Sequence, residues 1–426
     1  MSKELSKKYP TSYCPLAWTH SFINQDGSYQ VCCSSEEFDN HIRDDHGNKI
    51  FISDQRSSED VLNSNFMNDL RAKMLKGEWP ELCKRCKITE DHGGSSRRNI
   101  EILNYEKEND EFIKKTSLDG KAFIKITSAD FRLGNLCNLQ CRMCNPRSTQ
   151  LWIKEWNEIK PEREKFSKEV MDSYSEYHWI DSESLVKDVE NKAKYLTHIH
   201  FAGGEPLIVP QMSKILQKCI DAGAAKNITL TYNTNLVTMP QKVLDLWRSF
   251  KAVKILASID AYGDLNHYIR YPANWDKIDK NLGLIEKMHA EYNIIECIVS
   301  TTVQVLNILR IEDLYEYLAQ FKFIVPVPNL INVYMPTYFK TTVLPPDLKE
   351  IASEKFLRLK EKYEKNIPDH YKYLSDNIDQ IVKFMNSEDE YTTTDGFKEF
   401  IDFQMKFDQS RNIDLYHFYP EFKKYS

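Results

Sequence analysis

From about Lys121 to Thr337, short β-rich runs alternate with helical patterns, and this alternation narrows the possible folds more than any other feature of the chain. Runs of that kind mark repeated βα units on a parallel sheet. Strands are expected near Asp130 to Asn135, Tyr195 to Phe201, Ile228 to Asn233, Val253 to Ile259, Ile294 to Val303 and Leu330 to Met335. Six such units imply an α/β fold, a partial (β/α)6 TIM-like barrel open on one side. The first crossover, Arg147 to Ala193, is unusually long, charged and rich in aromatic residues, and is expected to be helical and to cover the barrel mouth.

The flanks differ in character. Residues 1–120 hold five cysteines, Gly/Ser/Asp turns and an expected helix from Ser58 to Leu75, which suggests a small cysteine-rich metal module. Residues 121–337 form the expected barrel, and residues 338–426 read as a helical C-terminal extension, with amphipathic stretches such as Asp347 to Tyr363 and Asp376 to Met385. A chain of 426 residues suits this three-part division. Its 57 basic and 63 acidic residues give no broad basic field, which disfavours a nucleic-acid partner. Met1 to Pro10 has no apolar signal core, and no run of eighteen apolar residues occurs, so a cytoplasmic protein without a membrane partner is expected. In such a chain the ten cysteines read first as metal ligands or buried thiols.

Just past the first expected strand, Cys137, Cys141 and Cys144 stand at C-x3-C-x2-C spacing. A [4Fe-4S] cube ordinarily takes four thiolates. Here Asn145 occupies the ferredoxin-like fourth position before Pro146, so one iron could stay open to the amino and carboxylate groups of a small molecule. A zinc site completed by a distant ligand is the alternative.

Gly203, Gly204 and Glu205 follow the second strand, where glycines permit close backbone approach to a ligand and a carboxylate can accept from an ammonium group. Later strands end in Asn233-Thr234-Asn235 and Ser258-Ile259-Asp260, with Arg270 beyond and Asn307 after the fifth strand. Barrel enzymes carry functional groups at such C-terminal strand ends, although each residue alone also fits helix capping. Near the N-terminus, Cys14 and Cys32 with the Cys83-x2-Cys86 pair could close around zinc or a second cluster, Cys33 being an alternative to Cys32. Cys219 and Cys297 read as buried core thiols. His20, His92, His198 and His200 read as core or surface residues before ligands or proton carriers, and no residue is singled out as catalytic.

Together, the triad, its place after the first strand and the Gly-Gly-Glu-Pro segment some sixty residues on resemble the radical S-adenosylmethionine (SAM) superfamily over residues 121–337. The resemblance implies that Cys137, Cys141 and Cys144 bind three irons of a [4Fe-4S] cluster. In that family SAM chelates the fourth iron and is cleaved reductively to a 5'-deoxyadenosyl radical that abstracts hydrogen from a substrate, and the resemblance implies the same here. It also implies that the glycine-rich motif meets the methionyl amino group. Asn233, Asn235 and Ser258 would then face the ribose or carboxylate of SAM, and Arg270 the carboxylate. Met143 stands where many members have an aromatic residue, with its backbone toward the adenine. The N-terminal cysteines resemble the SPASM or Twitch auxiliary-cluster modules of maturases, although those usually follow the barrel. A peptide or protein substrate and an electron donor such as flavodoxin or ferredoxin are thereby implied. A small metabolite or nucleotide substrate is one alternative reading, and a non-catalytic metal scaffold or electron-transfer protein is another.

Overall fold

The computed structural model describes residues 6–35, 40–54, 56–91, 94–175, 177–368, 371–388 and 394–425. Eight strands form one sheet: β1 (His20–Ile23), β2 (Tyr29–Gln30), β3 (Ser128–Arg132), β4 (His198–Ala202), β5 (Thr229–Thr234), β6 (Ala252–Ser258), β7 (Ile294–Val303) and β8 (Asn329–Asn332). Their order is β2-β1-β3-β4-β5-β6-β7-β8, left open between β2 and β8. The six strands expected from the sequence are β3 to β8, all parallel to their neighbours.

The cysteine-rich segment adds a seventh parallel strand. β1 pairs with β3, His20 opposite Ser128 and Phe22 opposite Asp130, and the hairpin to β2 follows at once. Its four residues are all buried, which the sequence pattern does not reveal because their partner lies a hundred residues away. By hydrogen bonding this piece of the N-terminal segment belongs to the sheet.

Strand alternation separates two faces. Ala129, Phe131, Ile199, Phe201, Leu230, Tyr232, Val253 and Ile255 belong to a core shared with the surrounding helices, among them Glu183–Lys192 and Pro210–Asp221. The opposite face carries Ser128, Asp130, Arg132, His198, His200, Thr231 and Asn233, an unusually polar lining.

Two helical expectations change in detail. The stretch from Ser58 to Leu75 is two helices, Ser58–Leu62 and Asn65–Leu75, because the Ser64 side chain accepts from the Met67 amide and caps the second. The long crossover contains only short helical pieces, such as Trp156–Ile159 and Lys168–Ser175, before Glu183–Lys192. C-terminal helices run over Pro346–Tyr363, Tyr373–Met385 and Thr394–Arg411, the second lying along β8. Among the described residues no helix is long and apolar enough to cross a membrane.

Candidate metal centres and cofactor site

After β3 the chain turns through Gly134, at φ +68°, into the cysteine loop. Asn135 Nδ2 closes that loop by donating to the Pro146 carbonyl at 3.0 Å and the Tyr174 carbonyl at 2.8 Å. Within it, the Cys144 amide donates to the Cys141 carbonyl at 3.0 Å, and the Leu139 amide points at Cys137 Sγ at 3.4 Å. Burial raises all three thiols above their ordinary range, Cys141 to about 12, and the thiols repel one another's charge. The Arg270 guanidinium works in the other direction on Cys141 and Cys144. Three half-buried thiols that resist ionisation by themselves are suited to a cationic metal centre, which deprotonates its ligands on binding.

The glycine motif is fastened to the same loop. Gly203 and Gly204 sit at φ +76° and +55°, and the Glu205 amide donates to the Leu136 carbonyl at 2.8 Å. A Cβ on Gly204 would lie 2.3 Å from the Leu136 oxygen, so only glycine lets the strand end come this close. The buried Glu205 carboxylate accepts from Leu207 N (3.1 Å), Thr234 Oγ1 (2.8 Å) and Asn235 N (2.7 Å). It is therefore engaged in joining β4 to β5. Burial pushes its pKa up to about 7 against those three donors.

Asn235 bridges from β5 to the cysteine loop, its Nδ2 2.8 Å from Asn138 Oδ1. Arg270 Nε stands 2.7 Å from Asp260 Oδ2, an ion pair whose angle falls outside hydrogen-bond geometry. Ser258 ends β6 half-buried, and Met143 packs against a separate hydrophobic core that includes Trp152, Tyr268 and Phe407. Asn307 is wholly buried and donates to the carbonyls of Asp260 (3.0 Å) and Thr302 (2.9 Å), which holds the turn that presents Asp260.

In the N-terminal segment Cys14, Cys32, Cys83 and Cys86 line one small cavity with Leu16, Val31, Trp79, Arg97 and Arg98. Cys14 precedes the short helix Leu16–Thr19, Cys32 follows β2, and Cys83 closes the turn that begins the helix Lys84–Asp91. The C-x2-C spacing at that helix start sets Cys83 and Cys86 on one side of it. Cys33 is absent from the lining and instead receives Arg97 Nη1 at 3.4 Å. Burial raises the Cys14, Cys32 and Cys83 thiols, Cys83 to about 12. Among the described residues no three His, Cys, Asp or Glu side chains converge on a point that a single metal ion would fill.

The Radical SAM superfamily profile matches residues 131–320, and the profile of SPASM, an iron-sulfur cluster-binding domain, matches residues 14–87. The chain therefore carries a radical SAM domain with a SPASM domain N-terminal to it. A radical SAM domain implies a [4Fe-4S] cluster with SAM, and a SPASM domain binds further iron-sulfur clusters. No curated protein matches the sequence. Solved structures with a similar fold include native anSMEcpe with bound AdoMet (18% identity, 56% of this chain and 62% of that chain, TM-score 0.38). Streptococcus suis SuiB bound to S-adenosylmethionine is similar at 12% identity, 68% of this chain and 63% of that chain, TM-score 0.35. SuiB bound to precursor peptide SuiA is similar at 12% identity, 80% and 64%, TM-score 0.32. The chain thus spans a little over three fifths of these structures.

Sequence reasoning passed over Asp130, which organises the polar face of the sheet. His200 is clamped between Asp130 Oδ2 at 2.9 Å and Asn233 Oδ1 at 2.6 Å. Burial opposes the charge on Asp130, but Arg132 and His200 outweigh it and hold the carboxyl well below its ordinary range. His20 pairs with Ser128 Oγ (2.6 Å) and His198 with Thr231 Oγ1 (2.9 Å). Burial lowers these two imidazoles to about 3 and about 4, so both are neutral hydrogen-bonding groups at pH 7. The Ser-x-Asp-x-Arg alternation in β3 was the available signal. His92 lies outside the described residues. Cys219 and Cys297 are fully buried.

Proposed function

We propose that this protein reductively cleaves SAM at a cluster held by Cys137, Cys141 and Cys144 and abstracts hydrogen from a peptide or protein substrate. The observation that carries the reading is the joining of three otherwise distant pieces. The cysteine loop is hydrogen-bonded to the glycine motif through Leu136 and Glu205, and to the end of β5 through Asn138 and Asn235, while Arg270 faces two of its thiols.

When bound there, the cluster and SAM supply the redox and hydrogen-abstraction chemistry, and the protein supplies position and charge. Gly203 and Gly204 keep side chains out of the space beside the loop. Glu205 fixes β4 against β5. Arg270, held by Asp260, offers positive charge to the thiolates and to a carboxylate. Asn233, Asn235, Ser258 and the Met143 backbone are the remaining SAM-contact candidates. Cys14, Cys32, Cys83 and Cys86 hold the second cluster with full thiolate ligation.

Support for a peptide rather than a small metabolite comes from the auxiliary-cluster module, which resembles those of maturases. Flavodoxin or ferredoxin is the proposed electron donor. The test is anaerobic reconstitution followed by iron counting, EPR with and without SAM, and assay of 5'-deoxyadenosine. About eight irons per chain are expected for two cubes, with a spectrum changed by SAM. Cys141→Ala should abolish SAM cleavage and spare the N-terminal cluster. Cleavage that survives in this variant refutes the assignment.

A further inference from the structure

Arg142 lies between Cys141 and Cys144 and is wholly buried. A buried guanidinium inside a metal-binding loop requires partners, and here most come from chain more than a hundred residues away. Arg142 Nε donates to the Tyr268 carbonyl at 2.7 Å, Nη1 to Gln404 Oε1 at 2.6 Å and Nη2 to Asp408 Oδ1 at 2.6 Å. Its Cζ lies over the Tyr268 ring at 3.7 Å and the Phe407 ring at 4.5 Å. Asp408 is fixed in turn by Tyr268 OH at 3.1 Å and the Leu415 amide at 2.6 Å.

A second strut runs beside the first. Arg411 Nη2 donates to Gln140 Oε1 at 2.7 Å and pairs with Glu155. Trp152 Nε1 donates to the Cys141 carbonyl at 3.1 Å, and its ring meets Phe407 edge-on at 4.9 Å. Gln404, Phe407, Asp408 and Arg411 share one face of the helix Thr394–Arg411, at i, i+3, i+4 and i+7. The helix thus grips Gln140 and Arg142, the two residues on either side of Cys141.

We infer that the C-terminal helix is part of the SAM-cluster site, with Arg142 as a positioning residue that fixes Cys141 and Cys144, and Asp408 as the carboxylate that neutralises its charge. The inference rests on the proposed assignment of that cluster to the triad. A planar guanidinium with acceptors at three of its nitrogens fixes orientation as well as place, which an ammonium cannot reproduce. Asp408 also sets the charge the cluster experiences, because removing its negative charge leaves the Arg142 cation uncompensated in a buried setting.

The experiment uses the full chain with both clusters reconstituted, and follows each cluster by EPR-monitored redox titration with and without SAM. Asp408→Asn keeps the side-chain shape and one acceptor. It should move the midpoint of the SAM cluster to more positive potential by about a tenfold change in the reduction equilibrium, about 59 mV for one electron. The N-terminal cluster should titrate as in the wild type and serves as the internal reference. Arg142→Lys should weaken the SAM-induced EPR change at least tenfold in SAM concentration, since it keeps the charge and loses the fork. An unchanged midpoint in Asp408→Asn together with wild-type SAM response in Arg142→Lys overturns the inference while leaving the cluster assignment intact. A wild-type protein with no SAM-responsive cluster removes the assignment itself, and this inference with it. If Arg142→Lys fails to retain its N-terminal cluster, Gln404→Leu, which removes one acceptor and no charge, takes its place with the same expected weakening.

Discussion

Gly204 has the least freedom of any residue in the proposed SAM site, since its φ is +55° and a Cβ would meet a backbone oxygen that cannot swing aside. Gly204→Ala should cost roughly 1–3 kcal/mol in strain and remove the SAM-induced EPR change. Chemical denaturation and EPR check the two parts separately. Glu205 gives a pH-dependent outcome. Its ordinary pKa of 4.5 is raised to about 7 in the folded protein by burial. Between those values the folded chain holds a proton that the unfolded chain has released. Stability should therefore fall as pH rises through that window, by up to about 1.4 kcal/mol per pH unit, and level off above pH 7. Urea unfolding without SAM should show this slope in the wild type and lose it in Glu205→Gln. A flat wild-type profile would mean that the three donors outweigh burial.

Among elements, the N-terminal helix Ser58–Leu62 and the crossover helix Glu183–Lys192 are joined by a buried polar cluster. Asp188 accepts from the Ser58 amide at 2.8 Å and hydroxyl at 2.7 Å, and pairs with Lys192, which also donates to Ser58 Oγ at 2.9 Å. Burial opposes the Asp188 charge, yet Lys192 and Ser58 hold its pKa below the ordinary range. Its contribution to stability is present above the unfolded pKa and is lost as pH falls through the folded one. Asp188→Ala leaves the Lys192 ammonium buried without its counter-charge and should destabilise by about 3–5 kcal/mol, measured by urea unfolding at pH 7. Asp188→Ala/Lys192→Met, which removes both charges, should recover much of that loss. The sequence reads both stretches as helical, but places no connection between them, because a serine and an aspartate 130 residues apart leave no periodic trace.

For the whole molecule, the insertion of β1 beside β3 means that the cysteine-rich segment and the sheet share hydrogen bonds as well as a core. Cys83→Ala should lose the N-terminal cluster, about four irons, and lower the temperature of a single cooperative transition seen by calorimetry. Two separate transitions, with only the lower one displaced, would show that the segment unfolds independently.

By itself the sequence determined the parallel α/β class and the six strands β3 to β8 within a few residues, and it singled out the two sets of cysteines proposed as cluster ligands. Most of these are local signals: a period of two or 3.6, or cysteines a few residues apart, as at 137, 141 and 144 and at 83 and 86. Tertiary structure alone decided what comes from distant chain. It placed β1 in the sheet, selected Cys32 over Cys33 for the cavity, tied the Glu205 carboxylate to β5, and brought Asp408 to Arg142 from 266 residues away. The physical reason is that a buried charge must find a partner wherever the fold supplies one, and the position of that partner along the chain carries no pattern.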